Sequence, residues 1–171
     1  MNEKIAKAIA SVGLFIGGIF GMIGSFVSSA SLRGLAWGLD GIGLIVASTM
    51  LTIYFFRKGK DTLAAGYLNF ANGEGLILSC DAVDLNADVS AFGAGSSLWA
   101  ASIALISIEN FFPKLVRLSG FITAVLFSVV SVQIFTSSSV NALSKPLPFY
   151  AYPFFAATIF GWAWMLLRTK P

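Results

Sequence analysis

Residues 9–30 read IASVGLFIGGIFGMIGSFVSSA and contain no charged side chain. A helix that crosses the hydrocarbon core of a bilayer needs about 20 mostly apolar residues. This stretch therefore predicts a membrane-spanning helix. Five further stretches of comparable length predict spans of the same kind, at 35–56, 62–83, 91–108, 118–136 and 147–167.

The composition of the whole chain agrees with this interpretation. Of its 171 residues, 57% are hydrophobic and only 11% are charged, which lies outside the balance of a soluble domain. In lipid, only helices and closed barrels satisfy every backbone polar group, and these long apolar runs lack the alternation of barrel strands. The sequence predicts an all-α, polytopic integral membrane helical bundle. Without a linker, repeat or low-complexity segment, residues 1–171 form a single transmembrane domain.

The basic residues predict the orientation of the six spans. Lysine and arginine near span ends are retained on the cytoplasmic side of a membrane. Nine of the eleven lysine and arginine residues fall on the side of the two termini, and only Arg33 and Lys145 fall on the other side. Both termini are therefore expected in the cytoplasm, in a plasma membrane of the bacterial inner-membrane type. The net charge of +3 follows from this topology and does not indicate a nucleic-acid partner. The predicted partner is the lipid bilayer.

The first span has a competing interpretation as a cleavable signal peptide, because two lysines precede it and the small residues 28–30 follow it. Its apolar part exceeds the roughly 7–15 residues of a signal core, which favours a retained helix. Small residues also recur in it at every fourth position: Gly13, Gly17, Gly21, Ser25 and Ser29. Such a stripe lets another helix backbone approach closely. Packing inside the bundle is the preferred interpretation, ahead of a dedicated dimer interface.

The missing residue types exclude several chemistries. The chain has no histidine and a single cysteine, Cys80. Histidine-ligated metal centres, Ser-His hydrolase sites and internal disulfides are therefore excluded. Phosphate-binding glycine loops and nucleophile elbows are also missing from the sequence. We predict no cofactor, no metal site and no enzyme, and we interpret Cys80 as a small buried apolar residue.

Three carboxylates fall within predicted spans, where a charge costs several kcal/mol unless it is paired, protonated or hydrated. They are Asp40, Glu74 and Asp81. Counting along the spans places Glu74 near the middle of the membrane, with Asp40 and Asp81 nearer the outer surface. Asp40 and Asp81 are predicted at similar depth, where they could share a proton or a cation.

The third span carries polar residues on two sides. Tyr67, Glu74 and Asp81 are spaced by seven and lie on one helix face, whereas Asn69 and Asn72 lie on the opposite face. A helix of this kind is expected at the centre of the bundle or beside a wet cavity.

Glycines flank the central carboxylate of this span. Gly73 and Gly75 weaken the helix where its polarity is highest, and this pattern favours an interruption at that point. Transporters use interrupted helices at the membrane midplane to bind substrates or ions.

Two classes of function fit this sequence. The first is a proton- or cation-linked small-solute transporter or pore, with six candidate site residues: Glu74, Asp81, Asp40, Asn69, Asn72 and Tyr67. The second is a non-catalytic accessory or assembly protein, whose intramembrane polar residues hydrogen-bond between helices. Its partner would be a membrane subunit or a second copy of the chain.

Overall fold

The computed structural model of this protein describes residues 3–80, 82–136 and 140–168. Within those ranges the predicted all-α fold is confirmed, with six α-helices and no β-strand. The helices are α1 (Glu3–Phe26), α2 (Ala30–Arg57), α3 (Asp61–Ser79), α4 (Val89–Ile108), α5 (Lys114–Thr136) and α6 (Tyr152–Arg168). A short 3₁₀ helix, Phe149–Ala151, leads directly into α6.

The helix boundaries differ from the predicted spans at the connection between α1 and α2. α1 ends at Phe26, so Ser29 does not belong to its stripe of small residues. Ser29 is instead the N-cap of α2, and its hydroxyl oxygen accepts a hydrogen bond from the backbone N–H of Leu32 at 3.4 Å. α2 therefore begins five residues before the predicted span. This shift places Asp40 deeper in the bundle than the sequence predicts.

The six described helices form a closed ring. Each helix packs against its neighbours in sequence, and α6 closes the ring by packing against α1. Neighbouring helices are antiparallel: Gly13 of α1 lies opposite Gly43 of α2, whereas Gly24 lies opposite Trp37. The start of α1 and the end of α6 consequently share one end of the bundle. We call this the terminal end and the other one the cavity end.

A glycine and an arginine stabilise the turns at the terminal end. Gly59, between α2 and α3, has a φ of 66°, a conformation that favours glycine. Arg117, near the start of α5, closes the end of α4: its Nε donates to the Ser107 carbonyl at 2.7 Å and its Nη2 to the Ile108 carbonyl at 2.9 Å. These bonds satisfy carbonyl groups that lack a partner within their own helix.

An exposed ion pair lies at the same end, where Lys58 Nζ is 2.8 Å from Glu3 Oε1. The hydrogen bond to Glu3 raises the pKa of Lys58. Both side chains are largely open to water, so this pair contributes little to stability.

Glycines set the closest approaches between helices. A Cβ atom added at Gly13 would lie 2.5 Å from the carbonyl oxygen of Gly43, and one added at Gly73 would lie 3.1 Å from the carbonyl oxygen of Gly95. The backbones of α1 and α2, and of α3 and α4, therefore touch with no side chain between them. In membranes, where lipid is as apolar as the protein, such close packing is a main source of helix association.

The outer surface of the ring is apolar. Large hydrophobic side chains point outward from several helices, among them Leu115 (80% exposed) and Phe56 (69% exposed). Among the described residues, five segments are long and apolar enough to cross a bilayer: α1, α2, α4, α5 and the stretch Phe149–Arg168. These segments are compatible with a multi-pass membrane protein. α3 is not among them, because Asn69, Asn72 and Glu74 lower its hydropathy.

We expect Gly13→Ala to lower the free energy of unfolding by about 1–3 kcal/mol, because the new methyl group would overlap the rigid Gly43 carbonyl. Thermal unfolding of the purified protein in detergent measures this change. Gly38→Ala is the matched control: nothing lies within 4 Å of a Cβ at that position, and alanine is the better helix former. Equal stability of the two variants would show that the α1–α2 contact does not depend on backbone approach.

Candidate binding cavity

A cavity of about 140 Å³ opens inside the ring at the cavity end. A single water needs roughly 10–15 Å³ of such space, so the cavity holds several waters or a small solute. Its walls come from α1, α2, α3, α4 and α6, and from the connections that follow α3 and α5. The lining includes Gly21, Trp37, Asp40, Glu74, Phe92, Trp99, Tyr152 and Phe155.

Glu74 lies in the deep part of this cavity and is only 1% exposed. One carboxylate oxygen, Oε2, accepts a hydrogen bond from the indole Nε1–H of Trp99 at 3.0 Å. The other oxygen faces α2, since Oε1 would lie 3.3 Å from a Cβ atom at Gly41. The carboxylate is thus held by α4 on one side and directed toward α2 on the other.

Asp40 of α2 is the second carboxylate of the cavity and is partly buried. Its Oδ1 atom is closed off from solvent and has no hydrogen-bond partner among the described residues. Its Oδ2 atom would lie 2.9 Å from a Cβ atom at Gly21, so the glycine of α1 leaves the room that this carboxylate occupies. A buried carboxylate oxygen without a partner is costly, and a proton on the carboxyl group or a positive charge beside it would lower that cost.

The sequence placed Asp40 beside Asp81, and the structure places it beside Glu74. Asp40 directly precedes Gly41, the residue that Glu74 faces across the α2–α3 contact. The prediction that Asp40 lies nearer the outer surface than Glu74 is therefore wrong, because α2 begins earlier than the predicted span. Asp81, and with it the predicted pairing to Asp40, lies outside the described residues.

Aromatic side chains close the cavity toward the terminal end. Trp99 and Phe155 line its floor with their ring centroids 4.6 Å apart. Below them, Phe70 packs against Trp162 at 5.8 Å, and Trp162 packs against Tyr67 at 5.3 Å. The cavity is consequently open at one end of the bundle only. We call these five residues the aromatic layer.

Tyr67 belongs to the aromatic layer and does not line the cavity. It is fully buried, and its ring stacks on Phe55 with the centroids 5.6 Å apart. Its hydroxyl has no hydrogen-bond partner within the described ranges. Although Tyr67 shares a helix face with Glu74 as predicted, it lies about two turns away, within the layer that closes the floor.

Asn69 and Asn72 do not line the cavity either. Asn69 is partly buried, and Asn72 is exposed on the outward face of α3. Of the two placements expected for α3, the structure shows the one beside a cavity, since Glu74, Ile77 and Leu78 line it. α3 is not central, because it occupies a place in the ring like the other helices and packs against α2 and α4. One polar face of α3 points inward to the cavity, and the other points outward.

The interruption favoured at Gly73 and Gly75 is not present, since α3 is a continuous helix from Asp61 to Ser79. Gly73 has a packing role instead. A Cβ atom there would lie 2.9 Å from the Leu98 side chain, so glycine allows α4 to pack close to α3. Gly75 has open space around its Cβ position.

The glycine stripe of α1 faces α2 along its length. Gly13 meets Gly43, Gly17 meets Leu44, and Gly21 meets Asp40. Ser25, at the end of the stripe, donates a hydrogen bond to the Gly21 carbonyl at 3.0 Å. Gly17, Gly21 and Ser25 also line the cavity, so the stripe both packs α1 against α2 and forms part of the cavity wall.

The connections at the cavity end are tied to one another around the mouth. Asn141 Nδ2 donates to Asn86 Oδ1 at 3.0 Å, which joins the connection after α5 to that after α3. Tyr152 donates its hydroxyl proton to the Ala142 carbonyl at 2.7 Å. Arg33 Nε donates to the Ala82 carbonyl at 2.8 Å. The connection between α5 and α6 therefore contributes Ala142 to the cavity wall.

Sequence reasoning missed the aromatic part of the site. Trp99 is the hydrogen-bond donor to Glu74, and Trp37, Phe92 and Tyr152 line the walls. Aromatic residues within apolar spans give no periodic signal that separates a cavity wall from a packed core. The one available signal was the indole N–H of Trp99, which needs a partner when it is buried.

In the part of the chain that the structure describes, no three His, Cys, Asp or Glu side chains come close enough to hold a metal ion. No protein-family model, curated protein or solved structure matches the chain.

We expect Trp99→Phe to lower the free energy of unfolding by about 1–3 kcal/mol, because it removes the donor to Glu74 and leaves a buried acceptor without a partner. Thermal unfolding in detergent tests this. Trp164→Phe, at a side chain that is 52% exposed, is the control and should leave stability unchanged. Identical melting of both variants and the parent protein would show that the indole bond does not hold Glu74.

Proposed function

We propose that this protein is a small carrier of the plasma membrane, of the bacterial inner-membrane type, which couples a proton or a small cation to solute movement through the Asp40–Glu74 cavity. One observation carries the proposal: two carboxylates from neighbouring helices converge on a cavity, and Asp40 Oδ1 has no partner among the described residues. A positively charged ligand or a proton would supply the missing partner.

The proposal includes six spans with both termini in the cytoplasm. α3 is too polar to be identified as a span by hydropathy, yet it runs antiparallel to α2 and α4 over its length. Gly66 lies against Ser102 and Ile106 of α4, and Gly73 lies against Gly95. Within a ring whose other helices cross the bilayer, α3 would cross it too. With the basic residues concentrated at the terminal end, the cavity would open to the outside.

The geometry favours a carrier over an open pore. The aromatic layer occupies the centre of the ring between the cavity and the terminal end, and its members Phe70, Trp99 and Trp162 are almost fully buried. A pore would need a continuous polar path through this layer. A carrier requires only that the site be open to one side at a time, and rocking of helices around a fixed midplane site achieves this in many transporters.

We expect Glu74→Gln to abolish proton-linked flux while leaving the fold intact. The test uses vesicles that contain the purified protein and a pH-sensitive dye, with imposed gradients of Na⁺, K⁺ or tetramethylammonium. The parent protein should change the internal pH with at least one of these ions, and Glu74→Gln should not, because a carboxamide cannot exchange the proton.

Glu109→Gln is the matched control, because this carboxylate lies just after α4 and away from the cavity. It should keep the flux of the parent protein. Circular dichroism should show equal helicity for all three proteins. Flux that persists in Glu74→Gln, or a parent protein that moves protons with none of the ions, would count against the carrier.

A second candidate function is assembly within the membrane, favoured by the outward polar face of α3. Asn72 is exposed near the middle of this helix, and its amide makes no hydrogen bond with the described residues. An amide that faces lipid gains from a hydrogen bond to another helix. Asn carries both a donor and an acceptor, so the same face on a second copy would be a suitable partner.

If α3 mediates assembly, Asn72→Leu should shift the protein from dimer toward monomer in lipid nanodiscs, as measured by mass photometry. Interhelical polar contacts in membranes contribute about 1 kcal/mol, so we expect a several-fold change in the dimer dissociation constant. Leu68→Ala, on the same face but without a polar group, is the control. A parent protein that is already monomeric would remove the support for self-assembly.

A further inference from the structure

We propose that the cavity binds a small organic cation, an ammonium or quaternary ammonium group with an apolar body. This inference rests on the proposed function in one respect, since it assigns a ligand class to the same Asp40–Glu74 site. It makes a separate claim, because ligand binding can be measured without transport.

The charge of the cavity floor is acidic. Asp40 and Glu74 line the deep part, and Asp88 lines the mouth, whereas no lysine or arginine is among the described lining residues. Arg33 lies near the mouth, but its Nε is directed to the Ala82 carbonyl and its guanidinium lies 5.8 Å from the ring centroid of Trp37. The basic group is thus engaged with the wall, and the two deep carboxylates remain for a ligand.

The walls are mainly apolar and aromatic. Side chains of Trp37, Phe92, Trp99, Tyr152 and Phe155 surround the carboxylates, with Met22 on the α1 side. Two of the polar wall groups are engaged within the protein: Tyr152 donates to the Ala142 carbonyl, and Trp99 donates to Glu74. Neither of these donors is left to solvate a hydrophilic solute. A ligand that fills the space must place carbon against carbon over most of its surface.

An inorganic cation fits these walls poorly. Ions such as Ca²⁺ and Mg²⁺ take six or more oxygen ligands, or keep several waters that need polar partners of their own. The described part of the chain brings no three metal-ligating acidic or thiol side chains together. Two carboxylates beside aromatic rings suit an organic cation instead. The carboxylates neutralise one diffuse positive charge, while the ring faces attract an ammonium group and contact its methyl groups.

The position of the acidic pair also suits a ligand with a head and a body. Glu74 Oε2 is held by Trp99, whereas Asp40 Oδ1, which is closed off from solvent, has no hydrogen-bond partner among the described residues, so the charge of Asp40 is left without a balancing group. Asp40 Oδ2 lies in the room that Gly21 leaves on α1, since a Cβ at Gly21 would lie 2.9 Å from it, and the carboxylate is therefore held at the cavity wall. The charged head would sit beside Asp40, with its apolar groups toward Phe92 and Tyr152.

The experiment is isothermal titration calorimetry on the full-length protein in lipid nanodiscs, with tetramethylammonium as the probe. Na⁺ tests charge without an apolar body, and tert-butanol tests the apolar body without charge. We expect saturable binding of tetramethylammonium only.

Asp40→Asn should weaken tetramethylammonium binding at least about thirtyfold, because it removes the charge opposite the ligand. Phe92→Leu should weaken it about threefold to tenfold, because it keeps an apolar wall and removes the ring.

Phe121→Leu is the matched control for the aromatic substitution, since Phe121 lies on the outer face of α5. It should bind like the parent protein. If Asp40→Asn fails to fold, as judged by circular dichroism, the comparison of Phe92→Leu with Phe121→Leu still decides the aromatic part of the inference. Equal binding by these two variants, or saturable binding of Na⁺ or tert-butanol in place of tetramethylammonium, overturns it.

The binding and flux measurements separate the two proposals. Absence of tetramethylammonium binding together with Glu74-dependent proton flux driven by Na⁺ or K⁺ overturns the ligand class and leaves the carrier. Binding with the expected variant profile but without flux supports the ligand class and overturns the carrier. Absence of both binding and flux overturns both, and the cavity then belongs to a protein whose polar residues serve packing alone.

Discussion

The ring of helices depends on direct contact between helix backbones at glycine positions. In a bilayer, each helix already satisfies its own backbone hydrogen bonds, so what remains to be decided is how closely the helices approach. At Gly13 and Gly43, and again at Gly73 and Gly95, two backbones meet with no side chain between them. These contacts bring α1 to α2 and α3 to α4, and the remaining helices complete the ring.

The same glycine stripe borders the cavity. α1 contributes Gly17, Gly21 and Ser25 to the cavity wall, and its glycines leave room that Leu44 and Asp40 of α2 occupy. Asp40 extends into this space, and Glu74 meets it from α3. The bulky aromatic residues that would otherwise fill the centre are concentrated nearer the terminal end. One half of the bundle is therefore packed like a core, and the other half contains an acidic cavity.

Polar residues in this bundle fall into two groups according to whether they have partners. Ser119 of α5 accepts a hydrogen bond from Thr158 of α6 at 3.0 Å, and this pair stabilises a helix contact. Asp40 Oδ1 and the Asn72 amide have no such partner among the described residues. One faces the cavity and the other faces outward from the bundle. The hydroxyl groups of Ser48, Tyr67, Ser96 and Ser107 also lack a partner among the described residues, but they are buried in the packed interior. A ligand would complete the structure at Asp40, and another helix would complete it at Asn72.

The sequence by itself determined the fold class and the approximate helices, because the length and apolarity of a span are local properties. It also identified Asp40 and Glu74, since a charge within an apolar run stands out without knowledge of the fold. Two local signals were misleading: the glycines around Glu74 indicated a break where the helix is continuous, and the start of α2 was placed five residues late. Because of the second error, the predicted depth of Asp40 in the bundle differed from that of Glu74.

Only the tertiary structure decided which polar residues meet. The rotation and shift of each helix in the ring place Asp40 beside Glu74 and Tyr67 in the aromatic layer. They also bring the indole N–H of Trp99 to Glu74, to which it donates a hydrogen bond. Asn72 faces outward for the same reason. In a chain where almost every face of every helix is apolar, the sequence pattern does not specify these rotations. A leucine side chain is in an apolar environment whether it faces lipid or another helix. The close fit at glycines and the few buried polar groups specify them instead.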